Sequence, residues 1–316
     1  MSSFGWGALF GLLAGLAIAL AALLGVWAER KVSARIQMRI GPDQAGPAGL
    51  LQTLADTIKL VLKEDITPRQ AEVGAFRLAP FLVFTPIAVS FIVIPYAFGW
   101  APLDSSVGVL FFLAVPAISV IGVLLAGWSS RNTYATLGGV RGAAQMISYE
   151  LPRTLSVVSL CIIAGSIAPT TVLGEWRWWW LPLNAIGFVV YFISSIAELN
   201  RGPFDIPEAE SELVAGYFAD YSGIRWAIFM MSEYGGVLAA SLFGAAMFFG
   251  GGLGVHGWPG VLIMIAIAAV IATSMLWAKW TFPRMRADQL MSVAWKVLTP
   301  LALLQLLLVG VVAPWL

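Results

Sequence analysis

The chain has 316 residues, 59% hydrophobic and 11% charged, with a formal net charge of +1 and a mean hydropathy of +0.87. Soluble globular chains carry charge on roughly a quarter of their residues, so the composition excludes that class and identifies an integral membrane protein. One cysteine and one histidine exclude an intrachain disulfide framework and the common nitrogen-and-sulfur metal sites.

The first charge-free window, Phe4 to Ala28, contains Gly7, Gly11 and Gly15, a small-residue ridge suited to close helix packing. It lacks a basic leader and exceeds the usual apolar core of a signal peptide, so it is expected to be retained. Glu29 and Arg30 follow, and Arg35 and Arg39, four apart, are expected to share one face of a helical extension. Such a cationic rim suits a lipid headgroup, a partner domain or negative charge on a bound molecule.

Residues 29–77 form the first long loop, in which Gly41 to Pro47 is rich in turn formers. Leu50, Leu51, Leu54, Ile58, Val61 and Leu62 then recur at helical spacing among Gln52, Thr53, Asp56, Lys59 and Lys63, which predicts an amphipathic helix. Two readings fit it: anchoring at the membrane surface, or a wall of a ligand chamber near that surface.

Windows 78–103 and 105–130 supply the second and third spans. Glu150 and Arg153, spaced for a helical salt bridge, precede a fourth window at 154–174. Trp176 and Trp178 to Trp180 are expected to anchor the fourth and fifth spans at an interface, the fifth being 178–197.

Six of the seventeen acidic residues lie between 198 and 220, and such a concentration needs water, protons, cations or a basic partner. Glu198 and Glu233 adjoin apolar runs, where a charge costs about 2.5–3.5 kcal/mol on insertion scales, so both are expected to face protein or water. Asp205, Glu208 and Glu212 share a face if Pro207 opens a helix, with Glu210 pointing elsewhere. Carboxylates clustered in a cavity of low dielectric raise one another's pKa and hold protons near neutrality.

The apolar run 234–278 is broken by Gly250 to Gly254 and by His256 to Pro259 into two spans, and 291–312 supplies the last. That glycine run follows no strand and lacks a P-loop lysine, so nucleotide binding is not expected. The reading is all-α: one polytopic membrane domain over 1–316 with eight predicted transmembrane helices. A β-barrel would show short segments of alternating polarity, which are not visible. Lysine and arginine crowd the loops after spans one, three, five and seven, including the acidic loop 199–225, placing those loops in the cytoplasm and both termini outside.

Four separated blocks resemble a known family: Glu29 to Gln37 through Pro42; Leu54 to Leu60 with Lys63 to Pro68; Gly127 to Ser130 through Ile147 to Glu150; and Ala197 to Arg201 through Gly216. A fifth is Arg284 to Met291. In order and spacing they resemble the membrane subunit at the quinone-module end of respiratory complex I, the proton-pumping NADH:quinone oxidoreductase, which is the H subunit in bacteria. The family's turn resembles Gly-Pro-Asn-Arg-Val-Gly-Pro; here Asp43, Gln44 and Ala45 replace its interior, removing a positive charge and adding a negative one.

The resemblance implies that the first loop and nearby helix ends form the membrane-side wall and entrance of a quinone chamber, with Arg30, Arg39, Asp56 and Lys59 as its electrostatic residues. It implies that Glu150, Glu198, Asp205, Glu208, Glu210, Glu212 and Glu233 form an acidic path for proton coupling. Quinone is then the substrate. No cofactor is expected in this chain alone; FMN, NADH and the iron–sulfur clusters belong to partner subunits. The implied partners are the peripheral quinone-module subunits, adjacent small and antiporter-like membrane subunits, and lipid, with no nucleic acid. The implied location is a bacterial inner membrane with a periplasmic N-terminus. Two other readings of the residues remain: an ion-coupling anchor of a related hydrogenase or dehydrogenase, and an autonomous cation transporter, the latter disfavoured by the missing inverted repeat.

Overall fold

The computed structural model describes residues 3–96, 101–255 and 257–313, without the side chains of 3–12, 14, 210 and 211. His256, which begins the second break expected in the apolar run 234–278, lies outside these. The fold is all-α, and most of its long elements fall on the charge-free windows, where a helix satisfies the backbone amides internally. They are α1 (Ser3–Ile36), α2 (Leu51–Leu62), α3 (Val73–Val93, ending in a 3₁₀ turn), α4 (Gly108–Ser129), α5 (Thr133–Ala164), α6 (Ala185–Glu198), α7 (Gly223–Phe248), α8 (Trp258–Thr281) and α9 (Ala287–Val312). Among the described residues, α3, α4, α5, α7, α8 and α9 are long and apolar enough to cross a membrane.

Helix α5 is central, packing against α4, α6 and α9, while α7 joins α1, α3 and α8. The Asn132 side chain caps α5 by accepting the Tyr134 N–H at 3.1 Å, and Gly165, left-handed at φ 63°, ends it. The expected fourth span therefore starts too late: α5 begins 21 residues before Thr154 and carries Glu150 and Arg153 inside it. Gly138, Gly139, Gly142, Gln145, Ser148 and Tyr149 lower its hydropathy, yet all are buried, because this stretch faces protein rather than lipid. Helix α6 starts seven residues later than the expected fifth span.

Two further expectations change. Gly15 has no atom within 4 Å of where a Cβ would stand, so the expected glycine ridge makes no close packing there; Gly7 and Gly11 lie where side chains are not described. Trp176 and Trp180 are core residues rather than interfacial anchors, and the Trp176 indole N–H donates to the Phe248 carbonyl at 3.1 Å. Trp178 is exposed.

Candidate functional site

Helices α1, α2, α7 and α8, the last through Trp280, line a half-open chamber of about 400 Å³. Helix α1 contributes Ala19, Ala22, Leu23 and Val26, and α7 contributes Trp226, Ala227, Met230 and Met231, so most of the wall is apolar. The polar end comes from Glu29, Arg30, Arg39, Asp56, Thr57 and Tyr234. Helix α2 turns Thr53, Asp56 and Leu60 toward this space while Leu51, Leu54, Ile58 and Leu62 stay exposed on the outside. Arg30 Nη1 contacts Asp56 Oδ2 at 2.6 Å, and the Gln52 amide donates to Asp56 Oδ1 at 3.2 Å.

Of the four residues assigned to the chamber, Arg30, Arg39 and Asp56 come together. Lys59 is exposed and lies off the lining, because it sits three residues after Asp56 at the edge of the inward face. Arg35 and Arg39 do not share a helical face: α1 ends at Ile36, Met38 adopts φ 54°, and Arg39 folds back to donate to Gln37 at 2.7 Å.

The chamber's inner end is a buried ionic cluster. Glu29 Oε1 meets Lys279 Nζ at 2.8 Å, and Glu29 Oε2 accepts from Tyr234 Oη at 2.7 Å and from Arg201 Nη1 at 3.1 Å. Arg201, 1% exposed, lies 4.3 Å from the Tyr234 ring centroid. Its Nε is 2.6 Å from Glu233 Oε1, an ion pair without the alignment of a hydrogen bond. Two carboxylates and two cations thus balance in formal charge, which buried charge requires. Asn200 positions the arginine by taking φ 53° as α6 ends, a left-handed conformation that asparagine tolerates.

Beyond Glu233 lies an inner cavity of about 60 Å³, whose polar lining includes Arg153, Glu198, Tyr217, Ser232 and Glu233. It has room for water. Arg153 is ion-paired with Glu198, both nearly inaccessible. The expected Glu150–Arg153 bridge is therefore replaced by a pair between α5 and α6, because the arginine's side faces α6; Glu150, half-buried, still acts on Glu198 through its field.

On the other side of the ionic cluster is a polar pocket of about 650 Å³ containing Asp205, Glu208, Lys279 and Arg284. Asp205 Oδ2 contacts Arg284 at 3.0 Å. Burial raises the Asp205 pKa despite Arg284. Burial, then the charges of Glu233 and Asp205, raise that of Glu208 well above the carboxylate range. Asp205, Glu208 and Glu212 do not share a helical face. Residues 205–209 are irregular, and the helical turn beyond Pro207 covers only Glu210–Leu213. The Glu210 side chain lies outside the described set. Glu212 instead pairs with Arg141 at 2.6 Å on the surface, with side chains 57% and 36% exposed. Exposed pairs contribute about 0–1 kcal/mol, so Glu212→Gln is expected to leave both assembly and proton transport at parental levels in membrane vesicles. A clear loss of transport would place Glu212 in the coupling path.

Sequence reading misses Glu29, Arg153, Arg201, Tyr234 and Lys279 as site residues, because the cations read as flanks that set orientation. The usable signal is that acids bordering apolar windows need buried counter-charges, although sequence spacing does not say which cations supply them.

The profile of the NADH dehydrogenase family matches residues 9–310. The chain is 43% identical over 320 residues to the NADH-quinone oxidoreductase H subunit of Brevibacillus brevis, covering 98% of this chain and 95% of that one. It is 43% identical to the H subunit of Geobacillus kaustophilus (99% and 94% covered) and 41% identical to that of Dehalococcoides mccartyi (90% and 81% covered).

Proposed function

The chain belongs to the family of NADH-quinone oxidoreductase H subunits, and on that premise we propose that the chamber between α1, α2, α7 and α8 receives quinone. The observation that carries this reading is continuity. An apolar chamber ends on Glu29 and Tyr234, and from there charge-bearing side chains run through Arg201 and Glu233 to Arg153 and Glu198. The apolar walls suit an isoprenoid tail, and the polar end suits the ring. The chain is a membrane subunit of the oxidoreductase. Electrons reach the quinone from iron–sulfur clusters, FMN and NADH in peripheral partners. Small and antiporter-like membrane subunits adjoin the acidic side.

Reduction creates negative charge and a demand for protons at the quinone. A field change there alters proton affinity along the carboxylate chain, provided two arrangements of the loop 199–222 bind protons unequally; equal affinity would shift nothing. The proposed topology has eight spans, counting the 34-residue α1 and the 14-residue α6 with the six helices named above as long and apolar enough to cross a membrane, in a bacterial inner membrane with a periplasmic N-terminus. Helix α2 then lies at the cytoplasmic surface.

Ala227 lines the chamber without contributing charge. Ala227→Phe is expected to lower NADH:quinone reductase activity about tenfold by narrowing the space for substrate, with NADH oxidation by an artificial peripheral acceptor unchanged. Unaltered quinone kinetics in the assembled variant would place the quinone elsewhere.

A further inference from the structure

We propose that Tyr217 is a positioning and relay residue joining the polar pocket around Glu208 to the inner cavity that holds Glu198 and Glu233. Glu208 lines the pocket and Tyr217 lines the cavity, and the Tyr217 hydroxyl donates to Glu208 Oε1 at 3.4 Å. The phenol therefore spans the partition between the two spaces. This inference rests on the proton-coupling reading above and assigns it a residue.

The backbone holds the ring in place by close approach. Gly216 takes φ 61°, and a Cβ there would fall on the Pro207 carbonyl oxygen, so the segment carrying Tyr217 lies directly against the segment carrying Glu208. A Cβ on Gly138 of α5 would stand 2.8 Å from both Gly216 Cα and Tyr217 N, which closes the third side. Around the ring, Phe218 and Phe229 pack edge-on with centroids at 4.8 and 5.7 Å. Such packing costs little entropy to maintain and leaves the hydroxyl as the one mobile polar atom.

The relay is balanced without a charged phenol. Protonated Glu208 passes its O–H proton to the phenol oxygen as the phenol's own proton leaves on the cavity side, toward water or the carboxylate of Glu233 or Glu198. The transfer leaves the hydroxyl donating to the Glu208 carboxylate, the arrangement seen in the structure; once Glu208 is protonated again from the pocket side, rotation of the hydroxyl toward the cavity resets the relay. Burial and the neighbouring carboxylates raise the Tyr217 pKa well above its ordinary value, which disfavours a lasting phenolate and suits a concerted transfer.

Tyr217→Phe keeps the ring packing and removes only the hydroxyl. In inverted vesicles containing the whole enzyme, NADH-driven acidification is expected to fall on the order of 100-fold, while NADH oxidation by an artificial acceptor and the amount of assembled enzyme stay at parental levels. Glu208→Gln should produce the same loss, and the double variant should be no worse than either, because both remove one step. Parental acidification in Tyr217→Phe, or a fall that merely tracks loss of assembled enzyme, overturns the proposal. Glu198→Gln in the same vesicles separates the two levels: if it acidifies normally the acidic-path reading itself fails, and if it alone is defective only the relay fails.

Discussion

Arg201→Leu is expected to deplete the assembled enzyme from the membrane. The guanidinium is the shared counter-ion of Glu29 and Glu233, and it is buried against the Tyr234 ring. Without it the cluster holds two carboxylates and one ammonium, with the Glu29 and Glu233 side chains only 9% and 14% exposed. Breaking a buried ion pair by removing one partner costs about 3–5 kcal/mol, a large share of the roughly 5–15 kcal/mol that holds a typical domain together. Arg201→Lys keeps the charge but lacks the planar fork that reaches two carboxylates while stacking on an aromatic ring, so an intermediate level is expected. Combining Arg201→Leu with Glu233→Gln restores neutrality and should recover part of the loss. Native-gel quantification of the oxidoreductase in solubilised membranes reads all three variants; a parental level of assembled enzyme in Arg201→Leu would show that the cluster contributes nothing to stability.

The same cluster marks where sequence reading stops. Long apolar windows reveal the spans because lipid permits no other way to satisfy a backbone, and the period of Leu51, Leu54, Ile58 and Leu62 correctly identifies α2 as a helix. Helix α5 is misplaced by such a reading because a span buried in protein tolerates Gln145, Tyr149, Glu150 and Arg153, whereas a hydropathy window assumes lipid on every side. The carboxylates stand out as costly, but their partners are remote in sequence: Glu29 and Arg201 are 172 residues apart. Spacing along one helix predicts only local pairs, which is why it matches Glu150 rather than Glu198 with Arg153. The chamber has the same character, since its wall draws on α1, α2, α7 and α8, and no periodicity within one element reports on the other three. The shared face expected of Asp205, Glu208 and Glu212 fails for a different reason: the chain around Pro207 is fixed by close contact with Gly138 and Gly216, so tertiary packing overrides local helix formation.

Glu198→Gln is expected to separate stability from coupling. The amide keeps an oxygen to accept from Arg153 but loses the negative charge, so an arginine that is itself nearly inaccessible is left with a weaker partner. Assembly should decline by less than in Arg201→Leu, because Glu150 and Glu233 still act nearby. NADH-driven acidification per assembled enzyme should fall on the order of 100-fold, the scale lost when a positioned proton-transfer group is removed. The double variant Arg153→Met with Glu198→Met sharpens the test. Replacing a whole buried ion pair with apolar side chains of similar size is often neutral or stabilising, so assembly should recover toward the parental level. Proton transport should not recover, since neither side chain can then hold or repel a proton in the cavity. If transport returns together with assembly in the double variant, the Arg153–Glu198 pair serves only to hold α5 against α6, and the proton path must run through other residues.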